Sequence, residues 1–165
     1  MLYFAYGSNM SIRRLRQRAR SASSVTVAML AGHQLRFHKA GQDQSGKCDA
    51  YATGDASDSV FGVIFDVHIT DKVILDNVEG LGRGYDEKYV ELQTPAAGNM
   101  SALIYCATDI DPALKPFAWY KHHVLCGATE FGLPDDYVEH SIRRIESIDD
   151  SDRSRQRREM AVYHF

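Results

Sequence analysis

The order of strand-like and helix-like segments is the feature that most limits the fold. Runs rich in apolar, β-branched and aromatic residues fall at 2–6, 25–30, 34–38, 60–67, 85–93 and 101–107, with a shorter one at 51–53. Bounded by Gly, Pro and polar clusters, runs of this kind read as strands. The 40–47 stretch is Gly-rich and polar and reads as a loop, and a turn is expected at 95–99. Helix-compatible sequence is brief in the first half: a basic stretch at 12–20, and a segment from Thr70 or Asp71 through Val78 on which Val73, Ile74, Asn77 and Val78 share a face. Longer helical patterns come late, at 112–126 and 135–148. The second carries Val138, Ile142 and Ile145 at i, i+4 and i+7. Strands first and helices late predict an α+β fold, a mixed-sheet small β-barrel with flanking helices, and not an alternating parallel α/β sheet. Residues 1–148 read as one domain and 149–165 as a charged C-terminal tail, exposed or loosely ordered.

Charge and cysteine usage narrow the function classes. A formal net charge of -3 gives no global attraction to nucleic acid or anionic membranes. Arg13, Arg14, Arg16, Arg18 and Arg20 form a basic run, but no aromatic residues interleave it, so it reads as a solvated helix face. No apolar run approaches the roughly 20 residues needed to span a bilayer. The run at 2–6 is also too short for the core of a signal peptide. A cytoplasmic protein with no nucleic-acid or membrane partner is expected. Cys48, Cys106 and Cys126 show no CxxC spacing and read as free thiols, with Cys106 and Cys126 in apolar stretches and expected in the core. Seven histidines are present, but His122 and His123 are adjacent and point apart on a helix. No HExxH or Cys/His zinc spacing occurs, so no metal is expected. Gly-x-Ser-x-Gly is absent too, which assigns Ser8 to binding rather than nucleophilic attack.

Three places remain that can carry chemistry. Tyr6-Gly7-Ser8-Asn9 follows the first strand and precedes the basic helical stretch. If a helix starts near Ser11, backbone N–H groups in this turn lack intrahelical partners and can hold a carboxylate or an oxyanion. Read locally, the same residues also make a plain junction capped by Ser8 or Ser11. Glu79 ends a short helix, with Gly80 as its left-handed cap. Carbonyl dipoles at a helix C-terminus and the apolar neighbours Val78 and Leu81 disfavour the anion, which suits a carboxyl group that gives and takes protons. A solvated surface glutamate is the competing reading. Tyr85 follows the loop Gly80-Leu81-Gly82-Arg83-Gly84, whose spacing matches neither a P-loop nor a dinucleotide fingerprint. The loop reads as flexible, letting Tyr85 fold over a ligand, with Arg83 placed to meet a substrate carboxylate. A strand-start aromatic packed in the core is the alternative for Tyr85.

The chain resembles the gamma-glutamylcyclotransferase family. Tyr3-Phe4-Ala5-Tyr6-Gly7-Ser8-Asn9 is similar to the family's opening strand and turn. Val60-Phe61-Gly62-Val63-Ile64-Phe65 resembles the strand before the catalytic helix. Leu75-Asp76-Asn77-Val78-Glu79-Gly80, with Tyr85 six residues after Glu79, resembles the catalytic glutamate segment. Tyr120 to Ala128, then Gly132-Leu133-Pro134 and Tyr137, resembles the C-terminal helical part. The likeness runs from about residue 2 to 145. It favours the classical subgroup, since the gamma-glutamylamine branch reads Tyr-Gly-Thr-Leu at the turn and the glutathione-specific branch lacks this C-terminal pattern. The resemblance implies a compact β-barrel with flanking helices and an enzyme without cofactor. That enzyme would close the gamma-glutamyl group of a small substrate to 5-oxoproline and release an amino acid or amine. It implies Glu79 as the catalytic acid/base, Tyr6, Gly7, Ser8 and Asn9 as the substrate-binding turn, Tyr85 as a substrate contact through its hydroxyl, and it allows a homodimer. Two rivals stay open: a sister cyclotransferase for gamma-glutamylamines, glutathione or a carrier-bound glutamyl group, and a binding module that keeps the fold without activity.

Overall fold

A computed structural model describes residues 1–96 and 98–163. Five strands close into a barrel in the order β1 (Leu2–Ala5), β5 (Ser59–Asp66), β2 (Ser23–Ala31), β6 (Tyr85–Thr94) and β7 (Gly98–Ala107). Neighbours run antiparallel except at the seam. There β7 meets β1 in parallel, with Tyr3 opposite Leu103. β3 (His33–Ala40) and β4 (Gly46–Ala52) form a separate antiparallel hairpin. The α+β barrel expected from the order of segments is the fold observed. The turn expected at 95–99 includes residue 97, which lies outside the described residues.

Strand composition explains the barrel. Val63, Ile64 and Phe65 in β5 are fully buried on consecutive positions, as in a strand covered on both faces. Phe4 and Ile64 pair directly across β1 and β5, and Leu92 and Ile104 fill the far side with no exposed surface. No described helix is long and apolar enough to cross a membrane.

The helices lie around this barrel. α1 (Ile12–Arg16) is shorter than the 12–20 stretch suggested. α2 (Ile69–Glu79) joins β5 to β6, and its cap is His68, whose side chain accepts from the Thr70 N–H, not Thr70 or Asp71. α3 (Ala118–Glu130) packs against the turn after β1. Gly127 makes that approach possible, because a Cβ there would stand 2.5 Å from the Met10 carbonyl carbon. The expected helix at 135–148 is instead α4 (Asp135–Val138) followed by a π-helical stretch, Glu139–Arg143, although Val138 and Ile142 do bury as the periodicity indicated.

Two expectations about surfaces are corrected. The charged tail is exposed along α5 (Arg153–Met160), which buries no residue, but it is not loose, since α5 folds back on the domain. Asp150 is buried beneath it, bonded to Trp119 Nε1 and to both Arg155 Nε and Nη2. Glu159 reaches His123 and the buried Arg14. Burial pulls the His123 imidazole down to about 4 despite Glu159, so at neutral pH the charge opposite Glu159 is Arg14. The basic run is likewise not one solvated face, since Arg14 and Arg18 turn inward.

Candidate active site

The site opens at one end of the barrel, where the turn after β1 meets the C-terminus of α2. A single 3-10 turn, Ser8–Met10, is closed by Met10 N–H donating to the Gly7 carbonyl at 3.0 Å. Ser11 then caps α1 without a side-chain bond. Opposite, α2 ends at Glu79 because Gly80 turns left-handed, at φ +76°, and donates its N–H to the Asp76 carbonyl at 2.9 Å. That conformation costs a residue with a Cβ more than it costs glycine.

α2 faces the barrel with an unexpected side. The apolar positions Val73, Ile74 and Val78 are 62%, 48% and 46% exposed, whereas Leu75 is buried. Around Leu75 the inward stripe is polar. Asp76 Oδ1 accepts from the Tyr105 hydroxyl at 2.6 Å, Lys72 pairs with Asp76 and Glu87, and Glu79 reaches the turn. Several hydrogen bonds at the mouth of the barrel hold this face in place of apolar burial.

Glu79 and Asn9 are locked together. Asn9 Nδ2 donates to Glu79 Oε1 at 2.8 Å and to the Tyr3 hydroxyl at 3.1 Å, while Asn9 Oδ1 accepts from Arg18 Nη1 at 2.8 Å. Arg18 Nη1 also lies 3.5 Å from Glu79 Oε1. The surroundings of Glu79 are therefore polar, not the apolar ones that Val78 and Leu81 suggested. Oε1 is the bound oxygen, and among the described residues Oε2 has no partner.

An inner pocket of about 30 Å³ lies beside these groups. Six residues singled out from the sequence line it, Tyr6, Gly7, Ser8, Asn9, Glu79 and Tyr85, whereas Arg83 lies outside it. Tyr3, Tyr105, Tyr120 and Cys48 also line it, and none of them was expected as a site residue. Two of the expected contacts are already engaged within the protein. The Tyr85 hydroxyl donates to the Cys48 carbonyl at 2.5 Å, so that hydroxyl is not a free hand over a ligand; Tyr85 offers its ring face and the remaining lone pairs. The Tyr6 hydroxyl donates to the Tyr105 carbonyl at 2.5 Å. The loop before Tyr85 is an ordered turn, with Gly82 N–H donating to the Tyr85 carbonyl at 2.8 Å and Arg83 N–H to the Gly80 carbonyl at 2.8 Å.

The titratable groups of this pocket separate into two kinds. Burial raises the phenols of Tyr3, Tyr6, Tyr85, Tyr105 and Tyr120, so they stay neutral. Burial also pushes the Cys48 thiol up to about 12, which removes it as a thiolate nucleophile near neutral pH. It is Cys48, and not Cys106 or Cys126, that sits deepest in the core. Glu79 is then the one lining carboxylate. A wider groove of about 450 Å³ continues outward from Ser8, Glu79, Tyr85 and Tyr120. Its walls add Arg14, Arg18, Lys39, Lys47 and Arg83. No cluster of three metal-ligating side chains occurs among the described residues.

A small mixed barrel with one half-buried carboxylate at its mouth, held by an asparagine from a Gly-Ser-Asn turn, is an arrangement able to exchange protons with a small ligand, the class of site an acid/base enzyme uses. The comparisons give that class its family. The AIG2-like family model matches residues 59–140. The chain is 32% identical to the gamma-glutamylcyclotransferase of Homo sapiens over 155 residues, covering 90% of this chain and 80% of the relative, and 30% identical to that of Bos taurus over 92% and 80%. A solved structure titled gamma-glutamyl cyclotransferase superposes with a TM-score of 0.83 at 29% identity, over 92% of this chain and 90% of that one. The chain belongs to the gamma-glutamylcyclotransferase family. Cyclisation of a gamma-glutamyl group to 5-oxoproline fits that family.

Proposed function

We propose that Glu79 is the acid/base of this cyclisation and that its free oxygen, Oε2, carries the proton. The single observation behind this reading is the composition of the inner pocket: neutral phenols and thiol, and one carboxylate whose other oxygen is fixed by Asn9 and Arg18. The substrate's α-ammonium group lies against Oε2 and gives it a proton. The freed amine attacks the γ-carbonyl carbon, forming the ring C–N bond and a tetrahedral oxyanion. Gly7, Ser8 and Asn9 line the pocket, and the first N–H groups of a helical turn lack partners within it, which suits them to the substrate's oxygens. Collapse of the oxyanion breaks the bond to the leaving nitrogen. The α-nitrogen loses two protons in all, both end on the departing amine, and Glu79 finishes as the carboxylate it began as.

The nucleophile and the electrophile belong to one molecule. Folding that molecule into the attacking conformation supplies the entropic part of the acceleration, which reaches roughly 7–11 kcal/mol in well-oriented intramolecular reactions. The neutral tyrosine walls hold the folded chain and keep water away. Three free cysteines fit a reducing compartment, which supports reading the chain as cytoplasmic.

Glu79→Gln tests the role. Glutamine keeps the oxygen that Asn9 and Arg18 hold but cannot shuttle a proton. Turnover of gamma-glutamyl-alanine to 5-oxoproline should fall by about 10²–10⁴-fold, with the melting temperature nearly unchanged. Turnover close to that of the unaltered protein would exclude Glu79 as the proton carrier.

A further inference from the structure

Lys39 lies near the end of β3, on the wall of the outer groove, and is only 7% exposed. A buried ammonium ordinarily rests on a carboxylate. Among the described residues Lys39 has no ion pair and no hydrogen bond at Nζ. Its side chain instead lies over the Tyr85 ring, with Nζ 4.9 Å from the ring centroid. A Cβ added at Gly84 would stand 2.9 Å from Nζ, so the ammonium sits against the loop that carries Arg83.

The other groove cations divide clearly. Arg14 is taken by Glu159, Arg18 by Asn9 and Glu79, and Lys47 by Asp43 and Ser45. Arg83, exposed at the mouth, has no side-chain partner among the described residues. Two positive side chains without an ion-pair partner among the described residues therefore line the groove that begins at Glu79. Both line the outer groove and neither lines the inner pocket. With the reacting glutamyl end held at Glu79, where the inner pocket and the outer groove meet, what they meet is the departing half.

We propose that Lys39 and Arg83 form an anion subsite for the leaving group, Lys39 taking the carboxylate nearest the broken bond and Arg83 a second acid farther out, so that an acidic amino acid is the preferred leaving group. This rests on the cyclotransferase reading above. Lys39 is the stronger of the two determinants, because its side chain is largely buried and its ammonium has no ion-pair partner among the described residues, so an incoming carboxylate meets it with little competition. Arg83 is wetter and contributes less.

Three substrates separate the charges: gamma-glutamyl-glutamate with two acids on the leaving group, gamma-glutamyl-glutamine with one, and gamma-glutamyl-ethylamine with none. For the unaltered protein, kcat/KM should fall along that series. Lys39→Gln should lower kcat/KM for the two acid-bearing substrates by about 10–100-fold, the range for a lost charge-assisted hydrogen bond, and should lower it several-fold less for the ethylamine. Lys39→Arg should restore most of the loss. Arg83→Gln should erase the preference for glutamate over glutamine. Equal losses on all three substrates with Lys39→Gln would show a merely structural lysine and overturn the proposal. Equal kcat/KM for the glutamate and glutamine substrates would overturn the acidic preference. If none of the three yields 5-oxoproline with the unaltered protein, the cyclotransferase reading itself falls, and the subsite with it.

Discussion

Asn9 shows how one side chain fixes the chemistry of another. Its amide spends both ends on the site, donating to Glu79 and Tyr3 and accepting from Arg18. The turn assigned from the sequence to substrate binding thus also holds the Glu79 carboxylate. Asn9→Ala should lower kcat by about 10²-fold, the scale of a misplacement near 1 Å, with a smaller change in KM. Steady-state kinetics of the variant against the parent checks this, and an unchanged kcat would show that Glu79 needs no such guide. Glu79, Tyr85 and the Tyr-Gly-Ser-Asn turn were legible because they form contiguous motifs. Arg18 and Lys39 were not, because a charged side chain in sequence reads as solvent-facing. Only the tertiary contacts with Asn9, Glu79 and Tyr85 turn these two inward.

α2 is the element whose boundaries were more legible than its orientation. Helical periodicity placed Val73, Ile74, Asn77 and Val78 on one face, and it is this face that solvent meets. The structure buries Leu75 and the polar stripe around it, since Asp76 and Glu79 find partners in Tyr105 and Asn9 that apolar contacts would not replace. Val73→Ser and Ile74→Ser should each change stability by less than about 0.5 kcal/mol. Leu75→Ala should cost about 2–5 kcal/mol. Urea unfolding of the three variants reads the difference, and a large loss at Val73 or Ile74 would mean that this face is covered after all. The strands were easier. Runs such as Val63 to Phe65 are buried on both faces, so composition alone marks them. The π-helical stretch Glu139–Arg143 left no such mark, because its hydrogen-bond slip barely disturbs the spacing of Val138 and Ile142.

At the scale of the whole molecule, the barrel brings together parts far apart in sequence. Asn9 and Glu79 are 70 residues apart and meet only because β1 pairs with β5, the strand that leads into α2. The charged tail completes the arrangement, with Glu159 fixing Arg14 on α1 beside the outer groove. The order of segments foretold the barrel, yet a count of charges in the tail missed its docking, since Asp150 and Glu159 are recognised by a few specific polar partners rather than by an apolar stripe. The central claim is that the substrate's own amine, and not water, breaks the γ-amide bond. Incubating gamma-glutamyl-alanine with the protein in water enriched in oxygen-18, followed by mass spectrometry of the products, tests it directly. The account predicts 5-oxoproline without the heavy oxygen and an equal amount of free alanine. Glutamate carrying the heavy oxygen would show a hydrolase and contradict it.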